Sequence, residues 1–205
     1  MIPTVETALA ELELAGRLNP GAWVKHSENV GTAAKNIAEK VDGMDPEKAH
    51  IFGLLHDIGR RVGVVNIPTH IIEGYRYCLA NEWDDVAKIC MTHSFPLMSR
   101  EFGAEPAGEK EREIKRYIEN CELDDYDRLI QLCDSLAVSY GFCILEKRFV
   151  DVARRYGLWG NTVERWNKLF ELKEYFEAKM GCSVYDVLPD IGRTTLLSLP
   201  PWEPK

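Results

Sequence analysis

Apolar residues recur at helical spacing along most of this chain, and this periodicity is the feature that most restricts its fold. Steps of three and four residues place such side chains on one face of an α-helix. No segment shows the sustained two-residue alternation, bounded by turn residues, that is typical of strands and hairpins. The sequence therefore predicts an all-α fold, a single helical bundle. The clearest stripe consists of Val30, Ala33, Ala34, Ile37, Ala38 and Val41.

Turn and capping residues divide this pattern into separate helices. Asp45 is a good N-cap and Pro46 suits the first helical position, so a helix is expected to begin there and to run to about Ile58. A single helical domain over 1–188 is predicted, followed by a proline-rich, irregular tail over 189–205. Other helices are predicted over 22–41, 69–81, 84–93, 110–120, 124–140, 144–156 and 162–180, with a short piece from Pro96 to Gly103 and loops over 60–68 and 101–109.

The composition is typical of a globular protein in a reducing compartment. Acidic residues outnumber basic ones by 33 to 25, so the net charge is −8 and binding to long nucleic acid is not expected. The six cysteines are scattered, and Cys90 and Cys133 fall inside apolar helical patterns that favour buried free thiols. The sequence shows neither a secretory signal nor an apolar run of about 18 residues, so a cytoplasmic protein without a membrane anchor is expected.

The strongest indication of function is the dipeptide His56-Asp57 at the end of an apolar helix. Burying an imidazole beside a carboxylate is costly unless something satisfies both groups. A divalent cation does so, because the imidazole supplies a nitrogen ligand and the carboxylate supplies charge. A core histidine that hydrogen-bonds to its neighbour is the alternative, and the dipeptide alone does not decide between the two.

Four further polar side chains bear on the same question. His26 and Asp134 each share a helix face with apolar residues, where a lone carboxylate is expected to be paired. His93 extends an apolar stripe of its helix. His70 begins a helix, where a surface position is the alternative. The four histidines His26, His56, His70 and His93 are predicted to face the same interior of the helical bundle, whereas His50 is expected to face solvent.

In their order and spacing, these residues resemble the HD domain superfamily of metal-dependent phosphohydrolases. The stretch from Gly53 to Gly59, Gly-Leu-Leu-His-Asp-Ile-Gly, is similar to the HDIG form of the motif, and the resemblance covers about residues 20–140. It implies an HD core over those residues, with C-terminal helices over 144–188 packed on it. It also implies that one metal ion is held by the residues on the four matching positions, His26, His56, Asp57 and Asp134.

Some branches of the superfamily hold two metals, with two more histidines between the HD pair and the last aspartate. His70 and His93 lie in that region in that order, so the resemblance implies a second site that they complete, with Asp57 as the bridge. Hydrolase branches often have paired histidines where this chain has His93-Ser94, and the GYP signature of cyclic-dinucleotide phosphodiesterases is missing. A site with two metal ions is predicted in preference to a site with one. Nitrogen and carboxylate ligands without thiolates favour Fe, Mn, Co, Ni or Mg.

These features predict a hydrolase that cleaves a small phosphate ester or anhydride, such as a nucleotide, through a metal-bound hydroxide. Asp57, Arg60 and Arg61 are the predicted catalytic residues, with Arg60, or Arg61 as the alternate, holding the phosphate of a small phosphorylated substrate. Lys25 is a further candidate for substrate binding, and a solvated basic pair is the alternative for the arginines. Two other functions stay open, a di-iron oxygenase of the myo-inositol oxygenase-like HD branch and an inactive regulatory HD module.

Overall fold

Helices dominate the computed structural model, which describes residues 1–64, 66–98 and 108–197. Within them, 3₁₀ turns cover Ile58–Val62 and Val184–Val187, and two short strands form an antiparallel hairpin. The prediction of an all-α fold is confirmed. The helices and strands are α1 (Val5–Leu18), α2 (Ala22–Ala38), α3 (Pro46–Leu55), α4 (Ile67–Ala80), α5 (Asp84–Thr92), α6 (Glu109–Glu119), α7 (Asp125–Leu136), β1 (Ala137–Val138), β2 (Gly141–Phe142), α8 (Leu145–Tyr156), α9 (Thr162–Met180) and α10 (Ile191–Leu196).

Side-chain caps fix the starts of α3 and α7. The Asp45 carboxylate accepts hydrogen bonds from two backbone N–H groups of the first turn of α3, and Pro46 occupies the first turn, as predicted. Asp124 caps α7 in the same way, and Asp127 completes a capping box by accepting the backbone N–H of Asp124 at 2.8 Å. Such caps satisfy the N–H groups that a helix leaves open at its start.

The predicted ends of α2 and α3 are wrong. α2 ends at Ala38 rather than at residue 41. α3 ends at Leu55, and the chain then tightens into a 3₁₀ turn in which the Arg60 N–H donates to the Asp57 carbonyl at 2.9 Å. The predicted loop over 60–68 therefore contains the end of this turn and the start of α4.

The end of α7 also differs from the prediction, because the helix stops at Leu136 instead of residue 140. The strand pairing that follows joins Ala137 to Phe142 and Val138 to Gly141. Gly141 has a φ of 136°, a region that favours glycine, so the chain can reverse there. Strands of two residues are too short to show alternation in a sequence, which is why the pattern did not predict them.

The predicted irregular tail over 189–205 is wrong for residues 191–196, which form α10. Lys147 of α8 stabilises the end of this helix, because its Nζ donates to the carbonyls of Thr194, Thr195 and Leu197 at 2.7, 2.9 and 2.7 Å. Residues 198–205 lie outside the described residues.

Two other predictions fall partly outside the described residues. The loop predicted over 101–109 is described only from residue 108, and α6 already begins at Glu109. The short piece predicted to start at Pro96 is described only to residue 98.

Close contacts at glycines bring α2, α3 and α4 together around the end of α3. A Cβ added to Gly53 of α3 would come within 2.5 Å of the Gly31 backbone in α2. A Cβ added to Gly59 would overlap the backbone of His70 and of Gly74 in α4. Because no larger residue fits at either contact, these glycines allow the helices that carry the polar cluster to approach this closely.

One apolar core joins the first helix to the C-terminal helices. It includes Leu12, Ile37, Leu54, Leu132 and Phe176, which are 1% exposed or less. A smaller cluster packs between α4, α5 and α6. All six cysteines are free thiols, and Cys90 and Cys133 are buried, as predicted. Among the described residues, no helix combines the length and apolar character needed to cross a bilayer.

Candidate metal centre

His56 and His93 both sit at the C-terminal end of a helix and aim the same ring atom inward. The Nδ1 atom of His56 lies 2.8 Å from the Gly53 carbonyl, and that of His93 lies 3.1 and 3.0 Å from the carbonyls of Ile89 and Cys90. A carbonyl only accepts, so each Nδ1 carries the proton and donates it. The Nε2 lone pairs are therefore left to face the interior, the arrangement that metal-binding histidines commonly show.

His26 of α2 and Asp134 of α7 meet on one side of His56. The His26 Nε2 lies 2.9 Å from Asp134 Oδ1, and the rings of His26 and His56 have centroids 5.4 Å apart. The His56 Nε2 lies 4.0 Å from the same carboxylate oxygen. Burial alone raises the pKa of Asp134, but the hydrogen bond and charge of His26, together with His56, lower it far below its ordinary value. Asp134 is thus ionised and directed at both histidines.

Asp57 lies between His56 on one side and His70 and His93 on the other. Its Oδ1 is 3.1 Å from His70 Nε2 and 3.7 Å from His93 Nε2, while its Oδ2 is 3.9 Å from His56 Nε2. Burial alone raises the pKa of this carboxyl, but His70, Arg60 and His56 together lower it well below its usual range. Asp57 is thus an ionised carboxylate whose two oxygens face different histidines.

Three buried ring nitrogens of the cluster have no hydrogen-bond partner within the described part of the chain. They are His56 Nε2 and both ring nitrogens of His70, whose Nε2 approaches Asp57 but not in hydrogen-bond geometry. Buried polar atoms normally find a partner. Burial also lowers the pKa of His56. Burial, together with the repulsion that a second protonated ring at His56 would exert, lowers the pKa of His93 to about 3, so both rings are neutral. Neutral imidazole is the form that binds metals.

The donor atoms form two groups that share His56. In each group one ligand atom per residue lies within 4.8 Å of the others. Neutral imidazoles and ionised carboxylates without thiolates suit a divalent cation, and the unpartnered nitrogens give it vacant ligand positions. The residues therefore fit a divalent metal. The groups are His26, His56 and Asp134, and His56, Asp57 and His93. Which of the six residues bind metal in solution stays a prediction.

Arg60 is the predicted substrate-binding residue that the structure does bring to the cluster. Its Nε donates to Asp57 Oδ2 at 2.5 Å, and its side chain is 33% exposed. Burial by itself lowers the pKa of Arg60, but the charge of Asp57, its hydrogen bond and the charge of Asp134 raise it. The guanidinium is therefore a permanent positive charge at the edge of the cluster.

Three other predictions from the sequence are not matched by the structure. The Arg61 guanidinium stacks on the Tyr77 ring, 3.7 Å from its centroid, and its Nη1 lies 3.5 Å from a Glu11 carboxylate oxygen, so it is turned toward α1 and α4 instead of the cluster. Lys25 pairs with Glu28 along the surface of α2 and is 63% exposed. His50 does not face solvent, because its ring packs against α2 and its Nδ1 is buried.

Two arginines of the C-terminal helices lie near Asp134 and were not predicted from the sequence. Arg148 of α8 and Arg165 of α9 line the same recess as Asp134, and the charge of Arg148 helps to lower the pKa of Asp134. A signal was available, because Arg165 precedes the buried Leu169 by four residues and therefore shares its helix face.

The family model for the HD domain matches residues 23–139, which is more than half of the chain. The chain therefore belongs to the HD domain family, and the resemblance noted in the sequence is confirmed. The match contains the six clustered histidines and aspartates and ends before α8. No curated protein and no solved structure shows significant similarity to the chain.

Proposed function

We propose that the protein is a metal-dependent phosphohydrolase that cleaves a small phosphate ester or anhydride, such as a nucleotide. The observation that carries this proposal is the cluster of four imidazoles and two ionised carboxylates around His56 and Asp57, in which three buried ring nitrogens have no hydrogen-bond partner within the described residues. Membership of the HD domain family, many of whose members are hydrolases of this kind, supports the same reaction class.

The residues of the cluster are proposed to hold and orient the metal rather than to transfer protons themselves. When bound, a divalent metal lowers the pKa of water to about 7 in favourable sites and offsets negative charge on phosphoryl oxygens. Asp57 is already ionised, so it binds a cation without first losing a proton. His56 and His93 are held by their Nδ1–H donors, which fixes the direction of each Nε2 atom.

Arg60 is proposed to bind a non-bridging oxygen of the reacting phosphate. Its Nε contact with Asp57 orients the planar guanidinium, which has five N–H donors in all. A guanidinium matches the geometry of phosphate oxygens, and holding the phosphate in line with its attacker removes much of the entropic cost of the reaction. Because the chain as a whole has a net charge of −8, this local positive charge is what attracts an anionic substrate to the cluster.

The reaction class can be tested by a substrate screen of the metal-loaded protein under nitrogen. Phosphomonoesters, nucleotides and dinucleoside polyphosphates are offered in oxygen-18-labelled water. The proposal predicts phosphate release without dioxygen, with one labelled oxygen atom in one product. Turnover that needs dioxygen would replace the hydrolase with the oxygenase of the related HD branch. A screen without any turnover by fully loaded protein would contradict an enzymatic role.

Two variants separate metal binding from phosphate binding. Asp57→Asn should lose both metal and turnover, because it removes the central carboxylate charge. Arg60→Gln should keep its metal and lose about tenfold or more in turnover, as expected for a lost charge-assisted hydrogen bond. Arg76→Gln is the matched control, since Arg76 is an exposed arginine of α4 paired with Glu113, and it should behave as the wild type.

A further inference from the structure

A recess opens beside the candidate metal centre, between α7, α8 and α9. It contains about 540 Å³ of space, part of it open to solvent. Asp134 belongs both to the wall of this recess and to the cluster, so the recess begins where the cluster ends. Helices α8 and α9 lie beyond the residues that the HD family model matches. The other lining residues used below are Arg148, Phe149, Trp159, Arg165 and Trp166.

Two arginines give this recess a positive wall in an otherwise acidic protein. The Arg148 side chain is 19% exposed, and its Nη1 lies 3.4 Å from Asp151. The Arg165 Nη1 donates to the Ser94 carbonyl at 2.9 Å, so α9 is tied to the segment directly after His93. A phosphate held at the Asp134 side of the cluster would therefore face arginine from the recess as well as from Arg60.

Aromatic rings also line the recess. Trp166 is stacked on Phe149 with ring centroids 5.1 Å apart and planes 6° apart, so its orientation is fixed by the core. Trp159 precedes α9 and is 50% exposed, although it lines the recess. A half-exposed indole at the wall of a recess offers a flat ring a stacking surface, and such stacking tolerates different ring chemistries.

We infer that this recess binds the part of the substrate beyond its reacting phosphate, and that this part carries a flat ring. Trp159, which lines the recess together with the stacked pair of Trp166 and Phe149, stacks on the ring, and Arg148 contacts the phosphate from the recess. The inference rests on the proposed function and specifies its substrate class: aryl phosphates or nucleotides are selected over alkyl phosphates such as glycerol phosphate.

Phenylphosphonate and methylphosphonate are the probes that test this inference. Both carry a phosphonate anion, but only phenylphosphonate carries an aromatic ring. Each has a carbon–phosphorus bond in place of the ester bond, so binding can be measured without turnover. Isothermal titration of the Mn²⁺-loaded protein should show phenylphosphonate binding about tenfold more tightly, the gain expected from stacking one ring on an indole. Trp159→Ala should remove most of this preference, and the exposed neighbour Leu158→Ala should retain it.

Arg148→Gln should weaken both phosphonates about equally, by roughly tenfold, because it removes a charge-assisted contact with the shared anion. Arg154→Gln, on the exposed side of the same helix, is its control and should change neither affinity. Equal binding of the two phosphonates by the wild type, or a preference that survives in Trp159→Ala, would overturn the inference. A loss of metal from Arg148→Gln would overturn its phosphate contact, because Arg148 would then act through Asp134. The substrate screen tests hydrolysis separately, so a ring preference without any turnover would count against the proposed function alone.

Discussion

Replacing Gly59 by alanine tests the close contact that brings His70 to Asp57. The added Cβ would overlap the His70 carbonyl and the Gly74 amide, both of which are backbone atoms of α4. Backbone cannot rotate away as the end of a side chain can, so either the 3₁₀ turn or α4 must move. In both cases His70 and Asp57 separate.

The expected cost follows from the kind of overlap. Overpacking a well-filled interior costs about 1–3 kcal/mol, and more where backbone must shift, so we expect a loss of about 3 kcal/mol in the free energy of unfolding. In a chain of this size each 1 kcal/mol lowers the Tm by about 2–4 °C, which gives a decrease of roughly 6–12 °C. A second effect is expected on metal binding, because the displaced His70 no longer lies beside Asp57.

Thermal unfolding followed by circular dichroism, with and without saturating Mn²⁺, measures both effects. Gly59→Ala should have a lower Tm than the wild type in chelator and should also gain less from metal. Gly192→Ala is the matched control, since a Cβ there meets no atom within 4 Å and the residue lies in α10, so its Tm should be unchanged or slightly higher. A Gly59→Ala protein with the wild-type Tm and the wild-type metal increment would refute the role assigned to this contact.

Three further predictions concern pH, a buried ion pair and metal removal. Because the pKa of His93 is about 3 in the folded metal-free protein and about 6.5 in the unfolded chain, the unfolded state binds more protons between these values. In chelator, the free energy of unfolding should therefore fall by up to about 1.4 kcal/mol per pH unit below pH 6.5. When it is measured by urea unfolding at a series of pH values, the free energy of unfolding of His93→Gln should fall less steeply with decreasing pH than that of the wild type. Lys88→Met leaves the fully buried Asp127 without its 2.6 Å ion pair and should cost about 3 kcal/mol in the same assay, whereas the exposed pair tested by Lys179→Met should cost less than about 1 kcal/mol. Adding a divalent metal at about 100 times its Kd should stabilise the protein by about 2.7 kcal/mol, and an unchanged Tm in chelator would show that no metal binds the folded state.

The choice between Arg60 and Arg61 shows what the sequence could not predict. Both follow the HD dipeptide, and an α-helix continuing to Ile58 would not have distinguished them. The chain instead enters a 3₁₀ turn at Asp57, and residues three apart eclipse one another in such a turn. Arg60 is therefore placed beside Asp57, and Arg61 is rotated toward Tyr77.

Part of the polar cluster was accessible from helix periodicity, because His26, His93 and Asp134 share apolar helix faces, whereas the complete set of six residues followed from the resemblance to the HD domain superfamily. His26 and Asp134 are predicted to point inward by spacing alone, and the structure places their side chains 2.9 Å apart across 108 residues of sequence. The recess was not predicted, because it depends on how three helices meet. Arg148 and Arg165 come together only through the packing of α8 and α9, which no local pattern reports.

The most direct test of the account is the metal content of the purified protein. Mass spectrometry of its elements should find at least one tightly bound divalent transition-metal ion per chain in the wild type. His56→Ala should lose that metal, because His56 Nε2 belongs to both donor groups. His50→Ala, in the same helix but outside the cluster, should keep it. A His56→Ala protein that retains the metal content of the wild type would contradict the assignment of this cluster as a metal centre.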